Sequence, residues 1–337
     1  MAFKISILIL ILLNFLIIFY HKNISKFINI YDYPDNIRKF QKNPIPLIGG
    51  FIFYFNLLFF FIFLSFSDNF FIKNIWSDYK SFFIFIFFST IVFIFGIYDD
   101  VKKINPSIKL LITVLIILSF CYWDKTLIIN NLRFSFLNKD IILNNFAVPF
   151  TILCCLLFIN AFNMFDGLDL QCTLYSIFIF ILLFLAGLEF FFVFLMIPLI
   201  FFLYLNINKY SYLGNSGSIL LSFTIAVLII KSYNNNNIQF SDRIFLIMCV
   251  PGFDLLRLAI FRIYKKKHPF YPDNNHLHHI VYKKFNFAVT TLIIQAIIII
   301  PNILYFANIP VTTLIFLSLF FYIIIVFFMN KFFKNSY

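Results

Sequence analysis

Residues 81–98 read SFFIFIFFSTIVFIFGIY, without one formally charged side chain. A helix needs roughly 17 to 25 apolar residues to cross the hydrocarbon of a bilayer. Similar runs recur from one end of the chain to the other. They are continuous and do not alternate with polar residues, so they predict helices and not the strands of a membrane barrel. They lie near 3–20, 45–66, 81–98, 107–123, 146–163, 173–187, 190–206, 217–232, 243–262, 288–308 and 310–330. The predicted fold is all-α: a polytopic transmembrane bundle of about eleven spans. No polar stretch is long enough for a second unit, so residues 1–337 are read as one integral-membrane domain. Composition agrees, since only 12% of residues are charged, against about 25% in soluble domains.

Basic residues assign the sides. Loops after odd-numbered spans, with the C-terminal end, carry seventeen Lys and Arg, among them Arg38, Lys39, Lys102, Lys109 and Lys265 to Lys267. The N-terminal end and the other loops carry eight, including Lys80, Lys125, Lys231 and Arg243. The positive-inside bias puts the first set in the cytoplasm, with the N-terminus outside and the C-terminus inside. The net charge of +12 is then a property of basic loops, and no nucleic-acid partner is expected. The first run is read as a membrane helix and not as a cleaved leader. Cys121, Cys154, Cys155, Cys172 and Cys249 are scattered without metal-ligand spacing and read as small apolar residues.

The loops on the basic side hold the chemistry. After span one come Arg38-Lys39 and then Gly49-Gly50. The cations suit a phosphate and the glycines a close backbone approach, or they are topogenic charge and a helix-entry turn. Asp99-Asp100 closes span three, with Lys109 beyond it; adjacent carboxylates there bind a cation or are simply solvated. Asn160, Asn163, Asp166 and Asp169 recur every three residues. On a helix they share a face, as oxygen ligands for a hard cation or as a polar packing stripe. Gly214-Asn215-Ser216-Gly217 opens span eight and offers amide N–H groups to an anion, or is a helix cap. Asp254 and Arg257 stand one turn apart, as an internal pair or as ligand contacts. Four of the five histidines fall in 268–279, as His268, His276, His278 and His279, beside Asp273. By parity every cluster faces the cytoplasm, and the other side holds nothing comparable in sequence.

Acids for a divalent cation, cations for anionic oxygens and exposed amides suit phosphoryl transfer, where positioning and charge neutralisation dominate. In order and spacing these motifs resemble the polyprenyl-phosphate N-acetylhexosamine-1-phosphate transferases, which begin O-antigen, enterobacterial common antigen and teichoic-acid assembly. The resemblance runs over roughly residues 31–280 and ends in Pro269-Phe270-x-Pro272-Asp273-x-x-His276-Leu277-His278-His279. It implies a bacterial inner-membrane enzyme with its site on the cytoplasmic face. Undecaprenyl phosphate attacks a UDP-N-acetylhexosamine within the membrane lipid, and UMP leaves. It implies Mg²⁺ as cofactor, with Mn²⁺ as the alternative, held by Asp99, Asp100, Asp166 and Asn215. The catalytic set becomes Asp99, Asp100, Asp166, Asp169, His276, His278 and His279. Substrate contacts fall to Arg38, Lys39, Gly49, Gly50, Lys109, Asn160, Asn163, Asn215, Arg257 and Asp273. A homodimer is left open.

The chain departs from the pattern in three places. The family usually has Asp at Asn215, His at Gln41 and Gly at Leu170. Asn215 motivates a second reading, a non-catalytic relative that binds polyprenyl phosphate or a partner glycosyltransferase. An ion-coupled transporter would carry its acids at mid-span, and here they cluster at one end. Membrane di-iron desaturases need more histidines than five.

Overall fold

The computed structural model describes residues 2–34, 41, 43–65, 76, 78–267, 269 and 275–334. Each of the eleven predicted segments contains a helix. We label the helices α1 (Ala2–Phe19), α2 (His21–Ile28), α3 (Gly49–Ser65), α4 (Tyr79–Lys102), α5 (Pro106–Trp123), α6 (Ala147–Phe165), α7 (Gln171–Leu185), α8 (Glu189–Ile207), α9 (Gly214–Asn234), α10 (Ser241–Tyr264), α11 (Leu277–Tyr282), α12 (Phe287–Leu304) and α13 (Val311–Lys334). Among the described residues seven are long and apolar enough to cross a membrane: α4, α5, α6, α9, α10, α12 and α13. The count becomes eight if α1 and α2, bent by 72° at Tyr20, form one span. Gly49–Ser65, Gln171–Leu185 and Phe192–Ile207 are apolar but shorter. The expected eleven spans thus hold as helices, while length and apolarity support seven or eight. Two short antiparallel ladders lie outside the helices, Tyr31–Asp32 with Ile45–Pro46 and Asn131–Leu132 with Ile141–Ile142.

The architecture turns on α9. Its residues from Ser216 to Tyr233 are all buried, surrounded by α3, α4, α6 and α7. Its core-facing surface is rich in small hydroxyl residues, with Ser216, Ser218, Ser222 and Thr224. Between membrane helices, lipid is as apolar as the interface, so close packing of small residues drives association. Gly96 of α4 is the tightest point. A Cβ built there would lie 2.4 Å from Ser216 Cα. Backbone cannot yield as a flexible side chain can, so Gly96→Ala is expected to push the C-terminal end of α4 off the start of α9. Turnover at any site formed where these two helix ends meet should fall about tenfold or more, because a misplacement of about 1 Å can cost a hundredfold. Unchanged turnover in a folded Gly96→Ala protein would show that this contact does not set the site.

Candidate active site

At one end of the bundle, α9 begins without a side-chain cap of its own. The first amides of a helix have no partner inside it. Here the carboxylate of Asp100, at the end of α4, fills that place. Asn215 N donates to its Oδ1 at 2.7 Å and Ser216 N to its Oδ2 at 2.9 Å. The amides expected to receive a ligand anion are therefore occupied by Asp100. The Gly49-Gly50 pair is likewise taken by backbone, since Gly49 N donates to Tyr212 O and Gly50 N to Leu213 O, both at 3.1 Å.

Asp99, one residue earlier, points to a different partner. Its Oδ2 lies 2.7 Å from Lys109 Nζ, and its Oδ1 accepts from Ile104 N. Lys109 also reaches Asn163 Oδ1 and Asn215 Oδ1, each at 3.3 Å. Asn163 Nδ2 donates to Asn215 Oδ1 (3.0 Å) and Ser218 Oγ (2.7 Å). One lysine thus ties together α4, α5, α6 and α9. Asn215 takes part through an amide oxygen that accepts from both Lys109 and Asn163.

The Asn/Asp repeat does not continue as one helical face. Helix α6 stops at Phe165, Asp166 is its C-terminal cap, and Asp169 lies in the turn that follows. Asn160 turns back to the Leu156 carbonyl of its own helix. Burial pushes the Asp166 carboxyl well above the usual carboxylate range, and the nearby Asp169 and Asp100 charges push it further. Burial also raises Asp169, to about 6, against the pull of Lys209 and the Tyr212 hydroxyl. The next residue, Leu170, adopts φ +70°, a left-handed conformation that glycine reaches freely and leucine does not. The loop has kept a glycine-like backbone without the glycine. The Leu170 amide compensates in part by donating to Asn206 Oδ1 at 2.8 Å.

The histidines reach the same turn from the other side. A Cβ on Gly167 would fall 2.2 Å from His278 Nε2, so only glycine admits this ring. His278 lies between His276 (centroids 5.5 Å) and His279 (4.2 Å). Its ring is fully buried, and neither ring nitrogen has a hydrogen-bond partner among the described residues. Burial, with the neighbouring imidazoles, holds His278 well below the usual histidine range, so it is neutral. A buried imidazole with both nitrogens unmatched is costly unless a ligand supplies the bonds.

His276 is held from behind. Its Nδ1 donates to Asp254 Oδ2 at 3.0 Å, and Leu277 N donates to the same carboxylate. Arg257 Nη2 donates to Asp254 Oδ1 (2.7 Å) and to the Asn275 carbonyl. Asp254 and Arg257 do pair within α10, and they also anchor the histidine segment. Tyr322 of α13 accepts from Arg257 Nε and donates to Asp254 Oδ1. Nothing in its apolar run marked it. Arg262, in the last turn of α10, is buried and donates to the Pro269 carbonyl. Arg38, Lys39 and Asp273 lie outside the described residues.

Among the described residues no three of His, Cys, Asp and Glu are grouped so as to hold a metal ion. Asp100 and Asp166 have no ion-pair partner among those residues, and the Asp100 charge raises Asp166. Two neighbouring carboxylates without a counter-charge suit the chemistry of Mg²⁺, which commonly binds through one or two carboxylates and completes its shell with water and substrate phosphates.

Residues 82–233, from α4 through nearly all of α9, match the family described as glycosyl transferase family 4. The chain is 26% identical over 287 residues to the undecaprenyl-phosphate alpha-N-acetylglucosaminyl 1-phosphate transferase of Escherichia coli (strain K12), covering 79% of this chain and 72% of that protein. The same identity and coverage hold for the Shigella flexneri protein of that name. The Yersinia pestis protein is 27% identical over 169 residues, 46% of each chain. Residues 82–233 thus resemble glycosyl transferase family 4, and most of the chain resembles undecaprenyl-phosphate sugar-1-phosphate transferases.

Proposed function

We propose that this protein transfers an N-acetylhexosamine 1-phosphate from a UDP-sugar to undecaprenyl phosphate, or a similar polyprenyl phosphate. The site faces the cytoplasm at a bacterial inner membrane, and the product starts a cell-surface polysaccharide. The observation that carries this reading is the meeting of Asp100, Asp166 and the unmatched His278 at one end of the bundle, where α4, α6, α9 and α11 converge.

A polyprenyl phosphate oxygen attacks the β-phosphorus of the UDP-sugar. The bond from that phosphorus to the bridging oxygen breaks, and UMP departs with the bridging oxygen and its electron pair. A phosphate monoester has a second pKa near 6 and is largely dianionic at neutral pH, so the nucleophile needs no strong base. Asp100 and Asp166 would hold Mg²⁺, or Mn²⁺, which when bound offsets charge on the diphosphate. The metal role expected of Asp99 weakens, because Lys109 already offsets its charge at 2.7 Å. Lys109 positions Asp99, Asn163 and Asn215. His278 donates from a neutral ring to a diphosphate or sugar oxygen, while Asp254 orients His276.

Purified protein incubated with undecaprenyl phosphate and a panel of UDP-N-acetylhexosamines should release UMP with one donor, and only with a divalent cation present. Asn215 favours a second reading, a non-catalytic lipid-phosphate binder. That reading is supported if the wild type is inactive with every donor, still binds the lipid phosphate, and gains UMP release on Asn215→Asp.

A further inference from the structure

We propose that the end of the bundle opposite this site carries a binding site for a phospholipid of one net negative charge. The first turn of α4 and the last turn of α5 enclose a cavity of about 430 Å³, with Asp78, Lys80, Trp123, Asp124 and Lys125 among its walls. Asp124 is 3% exposed, and its charge is offset by Lys231 at 2.7 Å. Asp78, Lys80 and Lys125 are exposed and have no ion pair among the described residues. Setting Asp78 against one lysine leaves one positive charge at the mouth. A phosphodiester held between the two lysines neutralises it.

The surroundings favour a lipid over a free anion. Tyr122 and Trp123 are exposed at the end of α5, as aromatic rings are at a membrane interface. Directly along the outer faces of the same two helices, Phe83, Phe87, Leu115 and Leu118 are exposed. A headgroup in the cavity would have its acyl chains on those faces. Inorganic phosphate would use only the lysines.

The test is native mass spectrometry of the full chain released from micelles holding equal amounts of phosphatidylglycerol and phosphatidylethanolamine. Phosphatidylglycerol should be retained at least about fivefold over phosphatidylethanolamine. The double variant Lys80→Gln/Lys125→Gln should lose that preference while keeping the wild-type melting temperature. Equal retention of the two lipids, retention favouring phosphatidylethanolamine, or an unchanged preference in the double variant overturns the proposal. So does inorganic phosphate displacing phosphatidylglycerol at millimolar concentration.

Discussion

Asp166→Asn is expected to cut UMP release a hundredfold or more while leaving the protein as stable as the wild type or more so. The two effects separate because the carboxylate is a burden to the empty fold. Burial disfavours its charge, and Asp169 and Asp100 add like charge beside it. A carboxyl whose folded pKa lies above its unfolded value weakens the fold as pH rises between the two, and the deficit persists above them. Asparagine removes that deficit at neutral pH while keeping the size of the side chain. The wild type should therefore gain stability relative to the variant as the solution is acidified. Activity moves the other way, since a fixed charge aimed at a developing transition state commonly contributes a factor of 10² to 10³. Paired measurements of UMP release and thermal melting at pH 5 and pH 8 decide it. A variant that melts lower but turns over normally would make Asp166 a structural residue.

The helices and the convergence of the motifs were legible because both rest on strong signals. Apolar runs of membrane length permit only helices, and loop parity brought Asp99, Asp100, Asp166 and the histidines to one end. Partner choice was less legible. The amides opening α9 look in sequence like an anion site, and only the packing of Gly96 against Ser216 shows that Asp100 is the anion they hold. Spacing by three suggested one face for Asn160 through Asp169, but the helix ends at Phe165 and the turn redirects the last two. Tyr322 was invisible because a tyrosine in an apolar run signals nothing until α13 is seen packed on α10. The opposite end, read as holding nothing comparable to these motifs, carries a buried ion pair between Lys231 and Asp124. Lys231 and Arg243 were counted as loop charges, and both are buried.

Lys231→Met is expected to destabilise the protein by about 3–5 kcal/mol, the usual effect of removing one member of a buried ion pair. Lys231 Nζ lies 2.7 Å from Asp124 Oδ2 and also donates to Ser81 Oγ and Thr126 Oγ1. The two side chains are 1% and 2% exposed, so water screens neither. Burial alone would raise the Asp124 carboxyl; Lys231, together with the Ser81 and Thr126 hydrogen bonds, outweighs it and holds Asp124 below the usual carboxylate range. Methionine fills the lysine's volume but leaves that carboxylate buried beside no cation. The double variant Lys231→Met/Asp124→Asn should recover most of the loss, because the asparagine oxygen still accepts from Thr126 N and no charge is left unpaired. The consequence reaches the site. Ser81, Asp124 and Lys231 tie together one end of α4, α5 and α9. The other ends of these helices carry Asp100, Lys109 and Asn215, roughly 22 to 29 Å away at 1.5 Å per residue. Three rigid helices held at one end keep their axial register at the other. The single variant should therefore lose turnover at temperatures where it is still folded, and the double variant should regain turnover together with stability. If turnover in Lys231→Met simply follows the folded fraction, the cluster stabilises the bundle without setting the register of the site.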